Sequence, residues 1–276
     1  MPRRRTAWCA NGRRRGKYFY NVGMTSPRFH CPVPLAAGRS VDLPENAARH
    51  AARVLRLRVG DDIVLFEGNG GECKARIAAV ERDRVTADVL DRQAVEREAP
   101  IRVTLVQALQ SGDKMDLTIQ KAVELGAAGI IPVASRRSVL KLDGARAAKR
   151  LAHWQGVAVA ACEQCGRNRV PLVAEIESLE RWLVQPAAEN VLRLMLAPGA
   201  GQTLATLPRP SAVTRIELLI GAEGGLAPEE LERAAQAGFV GVRLGPRILR
   251  TETAGLAALA AMQCLWGDFC EGEDHV

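Results

Sequence analysis

Short runs of apolar residues separated by polar positions fill the chain between Arg28 and Leu90. Two of them, Asp62–Phe66 and Lys74–Ala78, flank the glycine-rich stretch Gly68–Gly71, a pattern typical of a β-hairpin. Arg84–Leu90 predicts a further strand, since apolar and polar residues alternate along it. The region is therefore predicted to form a small β-barrel.

One helix is predicted within this region, over Asn46–Leu57. Its apolar residues recur at the spacing of one helix face. The predicted buried face consists of Ala47, Ala51, Val54 and Leu55. The charged stretch Asp91–Pro100 that follows has no clear apolar period and is predicted to be a linker.

Beyond Pro100 the pattern changes to strands that alternate with helices. The predicted strands are Ile101–Leu109, Ile130–Ala134, Val191–Leu196, Arg215–Ile220 and Val240–Leu244. The predicted helices are Lys114–Leu125, Gly144–Cys162, Pro228–Ala237 and Gly255–Trp266. Alternation of this kind predicts an α/β fold with a parallel sheet covered by helices on both faces.

The net positive charge of the chain comes from one segment. The formal net charge is +7, but seven basic residues and no acidic residue lie in positions 1–23, so the rest of the chain is formally neutral. Residues 1–23 lack an apolar stretch of signal-peptide length and are expected to be a disordered, dispensable extension. An arginine-rich targeting peptide, or a true start at Met24, remain alternatives.

A denser cluster of basic residues lies in the predicted barrel. Between Arg28 and Arg58 there are six arginines and only two acidic residues. Such a surplus is typical of a surface that contacts phosphate, although a solvated basic face fits the charge equally well.

Membrane and metal chemistry find little support in the sequence. No apolar run approaches the length of roughly 18 residues that a membrane-spanning helix needs. The odd number of cysteines, seven, argues against a disulfide framework and favours a reducing, cytoplasmic location. Cys162 and Cys165 form a single C-x-x-C without a second ligand pair, so no metal site is expected.

Two segments carry candidate chemistry. In Leu218–Pro228 a buried strand passes into the glycine loop Gly221–Gly225 and then into a helix. Glycines there permit a close approach of backbone to a ligand, although a tight strand-to-helix turn would need them as well. In Leu244–Ala254 a Gly-Pro turn is followed by Arg247 and Arg250, which a purely structural turn does not explain.

These two segments, GAEGG and LGPRILRTETA, closely resemble the RsmE family of SPOUT RNA methyltransferases. The resemblance extends over nearly everything after Met24. The further matching segments are Arg28-Phe29, His50–Arg56, Phe66–Glu72, Lys114-Met115, Gln120–Gly126, Arg137–Val139 and Glu163–Arg167.

The resemblance implies a fold with two domains. A PUA-like RNA-binding barrel is expected over residues 24–92, and a SPOUT methyltransferase domain over 100–270. The last strands and helix of the second domain are expected to form a trefoil knot, one of the exceptions to the rule that protein chains do not knot.

The resemblance also implies that S-adenosylmethionine is the cofactor, bound against the knot. The residues expected to bind it are Leu196, Gly221, Glu223, Gly225, Leu244, Gly245, Ile248, Leu249, Thr253 and Ala254. A side chain at Gly221 is expected to intrude on this cofactor.

The implied reaction is methylation of N3 of a specific uridine in 16S rRNA of the small ribosomal subunit. The N3 proton has to leave, so a base or a stabiliser of the developing anion is required. Arg250, Glu252, Glu163 and Arg167 are the candidate catalytic residues, and Glu163 and Arg167 have the spacing of an ion pair on one helix turn. Arg28, His50, Arg53 and Arg56 are expected to bind RNA, and the enzyme is expected to be a homodimer.

Two alternative functions would require different features of the sequence. A knotted RNA-binding assembly factor without catalysis would retain the fold, but the presence of Arg250, Glu252 and Thr253 argues against it, and a cofactor titration separates the two. A nucleotide-binding oxidoreductase would need G-x-G-x-x-G after the first strand of the α/β region, where Gln110-Ser-Gly-Asp113 stands instead.

Overall fold

The computed structural model describes residues 26–82, 84–140, 144–186, 189–211 and 215–270. Residues 1–23, expected to be dispensable, lie outside this part. The described chain forms two sheets, one of five strands and one of eight. No helix in the described ranges combines the length and the apolar character needed to cross a membrane.

The N-terminal domain is a mixed five-stranded sheet with strand order β1-β3-β4-β5-β2. Its strands are β1 (Arg28–His30), β2 (Ser40–Asp42), β3 (Asp62–Phe66), β4 (Glu72–Glu81) and β5 (Arg84–Gln93). β1 pairs with β3 in parallel, and the other pairs are antiparallel. The predicted hairpin is confirmed, because β3 and β4 pair across the glycine-rich turn.

The predicted helix of this domain is shorter and changes type. Helix α1 (Glu45–Arg49) passes directly into a π-helix over His50–Val54. Ala47 and Ala51 are buried as predicted, but Val54 and Leu55 are exposed. The reason is geometric: a π-helix has more residues per turn than an α-helix, so the 3.6-residue period does not continue past Arg49.

The C-terminal domain contains the predicted parallel sheet. Its strand order is β11-β13-β10-β12-β6-β7-β8, with β9 also paired to β7, and every pair is parallel. The strands are β6 (Arg102–Ala108), β7 (Gly129–Ala134), β8 (Leu172–Val173), β9 (Glu177–Ser178), β10 (Val191–Leu196), β11 (Gln202–Thr203), β12 (Arg215–Ile220) and β13 (Val240–Arg243). Strands β10 and β12 have the predicted bounds.

Helices cover both faces of this sheet. They are α2 (Lys114–Glu124), α3 (Gly144–Cys165), α4 (Leu179–Leu183), α5 (Pro228–Gln236) and α6 (Thr251–Trp266). Separate buried clusters lie on the two sides, one with α6 against β6, β10 and β12, the other with α4 and α5. The prediction of an α/β fold is thereby confirmed.

Helix α6 begins four residues earlier than predicted. Arg250 has an extended backbone, and its carbonyl accepts hydrogen bonds from the N–H groups of Thr253 and Ala254. The helix then crosses closely over the sheet at Gly255, where an added Cβ would lie 3.3 Å from Ile220 and 3.4 Å from Leu105. The small residues of α6 therefore serve packing against its own sheet.

The segment predicted to be a loose linker is ordered by ion pairs. Asp91–Gln93 belong to β5, so the connection begins only at Ala94. Glu96 pairs with Arg169, Arg97 with Glu72, and Glu98 with Arg167. The connection is thus held to both domains, and its charges are the reason that it has no apolar period.

Candidate functional site

A cavity of about 740 Å³ lies at the carboxyl ends of three adjacent parallel strands. The loops that follow β10, β12 and β13 form its walls, with residues 195–200, 220–226, 241–245 and 247–251. Ligand sites in parallel α/β sheets lie outside the carboxyl ends of strands at this kind of position. The volume is within the usual range for small-molecule sites, about 300–1,000 Å³.

The glycine loop after β12 is a tight turn with no room for side chains at its start. Gly225 donates its N–H to the carbonyl of Ala222 at 2.8 Å and has a left-handed φ of 70°. An added Cβ at Gly221 would lie 2.8 Å from the backbone of Gly225 and Leu226. A side chain here therefore meets the loop itself, and the expectation that it also intrudes on the cofactor stays a prediction.

Glu223 holds this loop against the start of α2. Its carboxylate accepts hydrogen bonds from the N–H (3.0 Å) and hydroxyl (2.7 Å) of Ser111 and lies 3.3 Å from Lys114 Nζ. Partial burial raises the pKa of Glu223, but these hydrogen bonds outweigh burial and lower that pKa to about 2. Glu223 is therefore an ionised anchor of the loop.

A buried polar cluster connects the same loop to α6. The hydroxyl of Thr251 donates to the Gly221 carbonyl at 2.6 Å, and Gln107 donates its side-chain N–H to that hydroxyl at 3.1 Å. The amide of Gln110 is within 3.3 Å of the hydroxyl and 2.9 Å from that of Thr118. Thr251 therefore fixes the helix start to the first residue of the glycine loop.

Most of the residues predicted to bind the cofactor come together in this cavity. Those that line it are Leu196, Gly221, Glu223, Gly225, Leu244, Gly245, Ile248, Leu249 and Ala254. Thr253 does not line the cavity. Its side chain is exposed in the first turn of α6, and its N–H donates to the Arg250 carbonyl. Ile248 is 85% exposed, so it contributes to the rim of the cavity.

The four candidate catalytic residues separate into two places. Arg250 lines the cavity and is exposed at its rim. Glu252 lies nearby, with its carboxylate 3.9 Å from Lys114 and one buried oxygen that has no hydrogen-bond partner among the described residues. Glu163 and Arg167 lie at the junction between the domains instead.

At this junction Glu163 and Arg167 do not pair with each other. Helix α3 ends at Cys165, so Arg167 leaves the helix and bonds Glu98 and the carbonyls of Val123 and Ala127. Glu163 accepts the N–H of His30 at 3.0 Å, and burial raises its pKa. Within one chain both residues serve the domain contact, so the expected ion pair between them is wrong. Their catalytic role stays a prediction.

Arg28, expected to bind RNA, belongs to the same junction. Its guanidinium donates to Glu72 at 2.7 Å and also to Asn168 and the carbonyl of Gly166, and its side chain is only 11% exposed. A guanidinium held in this way is not available to phosphate, so the structure places Arg28 in domain packing. His50, Arg53 and Arg56 lie on the exposed side of the N-terminal domain.

Three residues of the site were not predicted from the sequence. Arg137 lines the cavity and donates to the Gly224 carbonyl at 2.7 Å. Thr251 and Lys114 anchor the glycine loop through the contacts above. Arg137 and Lys114 lie within motifs that were recognised, and a hydroxyl between Arg250 and Glu252 was the available signal for Thr251.

Comparison with known families identifies the class of protein. The RNA methyltransferase domain family matches residues 97–263, and the RNA methyltransferase PUA domain family matches residues 43–90. Together with the parallel sheet and its cavity, these matches define the chain as an RNA methyltransferase with an N-terminal PUA domain.

Relatives that match most of the chain identify a narrower family within this class. Ribosomal RNA small subunit methyltransferase E of Bacillus subtilis is 37% identical over 77% of this chain and 85% of its own length. The chain belongs to this family, which confirms the resemblance predicted from its motifs. A crystal structure of the Neisseria gonorrhoeae member bound to S-adenosylmethionine is 44% identical, with a TM-score of 0.82 over 88% of this chain and 99% of that one. A Legionella pneumophila methyltransferase in complex with the same cofactor has a TM-score of 0.84 at 34% identity, covering 88% and 99% of the two chains.

Proposed function

We propose that this enzyme transfers the methyl group of S-adenosylmethionine to N3 of a uridine in the RNA of the small ribosomal subunit. The observation that carries the proposal is the cavity at the ends of β10, β12 and β13, since it belongs to a fold shared with relatives that bind this cofactor. The family of the chain supplies the class of RNA, and the uridine is what the resemblance of the two loops to that family implies.

The residues of the cavity fit this cofactor. Leu196, Leu244 and Leu249 provide apolar walls for a purine, and left-handed glycines at positions 225 and 245 form short loops whose backbone groups reach the ligand. S-adenosylmethionine supplies a methyl group already activated on a sulfonium sulfur. The main tasks of the protein are therefore to bind and orient the cofactor and the uridine and to exclude water, since the methyl donor needs no further activation.

Removal of the N3 proton leaves negative charge on the uracil ring. Arg250 is the candidate to stabilise it, because its guanidinium is exposed at the rim and has no hydrogen-bond or ion-pair partner in the described part of the chain. Glu252, in the first turn of α6, has a buried carboxylate oxygen without a hydrogen bond among the described residues and is the candidate to accept the N3 proton.

The trefoil knot is part of the proposal. Strand β13 lies beyond β10 on the side away from β12, yet the following helix α6 returns to pack on β6 and β12. The connecting residues 244–250 therefore pass beside the loops that follow β10 and β12, and Thr251 bonds Gly221 there. This path supports threading of the C-terminal segment.

A homodimer is proposed from unpartnered apolar side chains. Leu117 on α2 and Leu265 on α6 are 45% and 43% exposed, and these two helices pack on each other. Phe269, just beyond α6, is half exposed as well. Such residues on adjoining elements are typical of a face that a second copy covers. The cytoplasm is the proposed location, because small ribosomal subunits are the proposed substrate.

The decisive experiment uses small subunits isolated from cells that lack this methyltransferase. The purified protein with S-adenosylmethionine should convert one uridine of their RNA to 3-methyluridine, measured by nucleoside mass spectrometry after site-specific digestion. The assembled subunit should be a better substrate than free RNA, since a single uridine carries little sequence information without its surrounding shape. Methylation of a ribose or of another base would contradict the proposal.

A further inference from the structure

The cavity has an excess of positive charge. Among the described residues that line it, Arg137, Arg243, Arg247 and Arg250 are cationic, and Glu223 is the only acidic one. The charge of Glu223 is already balanced by Lys114, 3.3 Å away. Arg137 is held by the Gly224 carbonyl. The other three arginines are exposed, and none has a hydrogen-bond or ion-pair partner in the described part of the chain.

The positive charge of the cavity is unfavourable for binding the cofactor by itself. S-adenosylmethionine carries a sulfonium, an ammonium and a carboxylate, so it is a net cation. Unpaired guanidinium groups around it weaken its binding by like-charge repulsion. An anion that enters with the cofactor offsets this repulsion, and the RNA backbone is the anion that the proposed reaction brings.

Two of these arginines are placed to meet that backbone. Arg243 ends β13, and the chain then turns through Gly245, whose φ is 69°. The turn brings the guanidinium of Arg247 back over Gly245, 3.8 Å from where a Cβ would lie. Arg243 and Arg247 therefore flank one turn at the mouth of the cavity, next to the reactive end of α6.

We infer that Arg243 and Arg247 bind backbone phosphates of the substrate RNA on either side of the nucleotide that enters the cavity. This rests on the proposed function and extends it, since RNA binding is then divided between the PUA domain and the methyltransferase domain. It also makes binding of RNA and of S-adenosylmethionine mutually favourable, because the phosphates neutralise the repulsion of the cofactor.

The test compares two variants that lose the same charge. Arg243→Gln/Arg247→Gln removes both rim arginines. Arg181→Gln/Arg215→Gln removes two exposed arginines elsewhere, one on α4 and one at the amino end of β12. Binding of small subunits that lack the modification is measured without cofactor at several salt concentrations, and cofactor binding is measured by calorimetry without RNA.

The rim variant should bind subunits about tenfold more weakly at about 0.1 M salt, with a logarithmic salt slope lower by roughly 1.4, the value for two phosphate contacts on a single strand. The control variant should keep the wild-type slope. Affinity of the rim variant for S-adenosylmethionine should be unchanged or rise a few-fold, whereas affinity for S-adenosylhomocysteine, a zwitterion with no net charge, should stay constant.

Three results would overturn the inference. Equal salt slopes for the two variants would remove the rim from RNA binding. Loss of S-adenosylmethionine affinity would show that the arginines hold the cofactor carboxylate. A monomeric rim variant beside a dimeric control would show that they contact a second copy. Because binding needs no methyl transfer, an inactive wild-type protein would refute the proposed function and leave this result standing.

Discussion

At the scale of single residues, Arg250 separates catalysis from cofactor binding. Its side chain is exposed and unpaired among the described residues, and only its backbone carbonyl serves as a cap for α6. Arg250→Ala should therefore leave folding intact and S-adenosylmethionine affinity within a few-fold, while turnover falls about a hundredfold or more, the scale of losing one preorganised charge-stabilising donor. Calorimetric titration and single-turnover rates measure the two effects.

Arg250→Lys is the matched control for this prediction, since it keeps the charge but not the planar fork. It should recover part of the lost rate. If Arg250→Ala loses cofactor binding and melting temperature together, the arginine is structural, and the assignment of charge stabilisation to it is wrong.

At Gly221, unlike Arg250, a substitution should affect folding and cofactor binding together. A Cβ at this position would lie 2.8 Å from backbone atoms of its own loop, and backbone cannot move away as a flexible side chain can. Gly221→Val should therefore abolish cofactor binding and also lower the melting temperature. Gly201→Ala is the control, because a Cβ there meets nothing within 4 Å. A Gly221→Val protein that melts normally and binds S-adenosylmethionine would contradict the clash.

At the scale of elements, the position of α6 relative to the sheet depends on one hydroxyl. Thr251→Val preserves shape but removes the hydrogen bond to the Gly221 carbonyl and one of the two acceptors of the Gln107 side-chain amide. Losing buried hydrogen bonds of this kind costs about 1–3 kcal/mol. We expect a weaker cofactor affinity by about tenfold with a smaller change in turnover at saturating cofactor.

Thr251→Ser keeps the hydroxyl and should restore cofactor affinity even though it loses a methyl group from the core. A comparison of KM for the cofactor with kcat in the two variants distinguishes positioning from general destabilisation. Equal cofactor KM values in the valine and serine variants would show that the hydroxyl does not position the loop.

The contact between the two domains has a pH dependence. Burial raises the pKa of Glu72, but hydrogen bonds from Arg97, Arg28 and Asn168 outweigh burial and lower that pKa from 4.5 to about 2. A lowered pKa in the folded state stabilises the protein above pH 4.5, and this contribution is lost as the pH falls from about 4.5 to about 2. Glu72→Gln should cost about 2 kcal/mol at neutral pH and lose less stability than wild type on acidification.

Urea unfolding at several pH values between 7 and 2 measures this difference. The exposed Glu45→Gln variant, in which a surface ion pair with Arg49 is removed, serves as control and should follow wild type. If the curves of Glu72→Gln and wild type stay parallel down to pH 2, the junction does not depend on ionised Glu72.

At the scale of the whole molecule, the exposed apolar residues of α2 and α6 predict the oligomeric state. Wild-type protein should sediment as a dimer at micromolar concentration, and Leu265→Glu should shift it to monomer by placing a charge in the proposed interface. Val184→Glu, at a position 82% exposed beyond α4, should leave the dimer intact. A monomeric wild type, or a Leu265→Glu dimer of unchanged stability, would exclude this interface.

The sequence by itself determined the class of fold and the position of the cofactor loops. Periodicity identified β3, β6, β10, β12 and the helices α2, α3 and α5, because each has enough residues for an apolar period to be recognised. The family motifs located the two loops that line the cavity, although periodicity could not have shown how they meet. Periodicity did not identify strands of two or three residues, such as β8 and β11, because a period cannot be recognised over so few positions.

Only the tertiary structure decided which polar residues act together. Arg28, Glu163 and Arg167 look like site residues in the sequence. Strand β1, the last turn of α3 and the residues just after α3 meet at the junction of the domains, where burial requires each charge to have a partner. The same packing leaves Arg243, Arg247 and Arg250 around the cavity without hydrogen-bond or ion-pair partners among the described residues. Pairing depends on distances between segments far apart in the chain, and local sequence does not contain those distances.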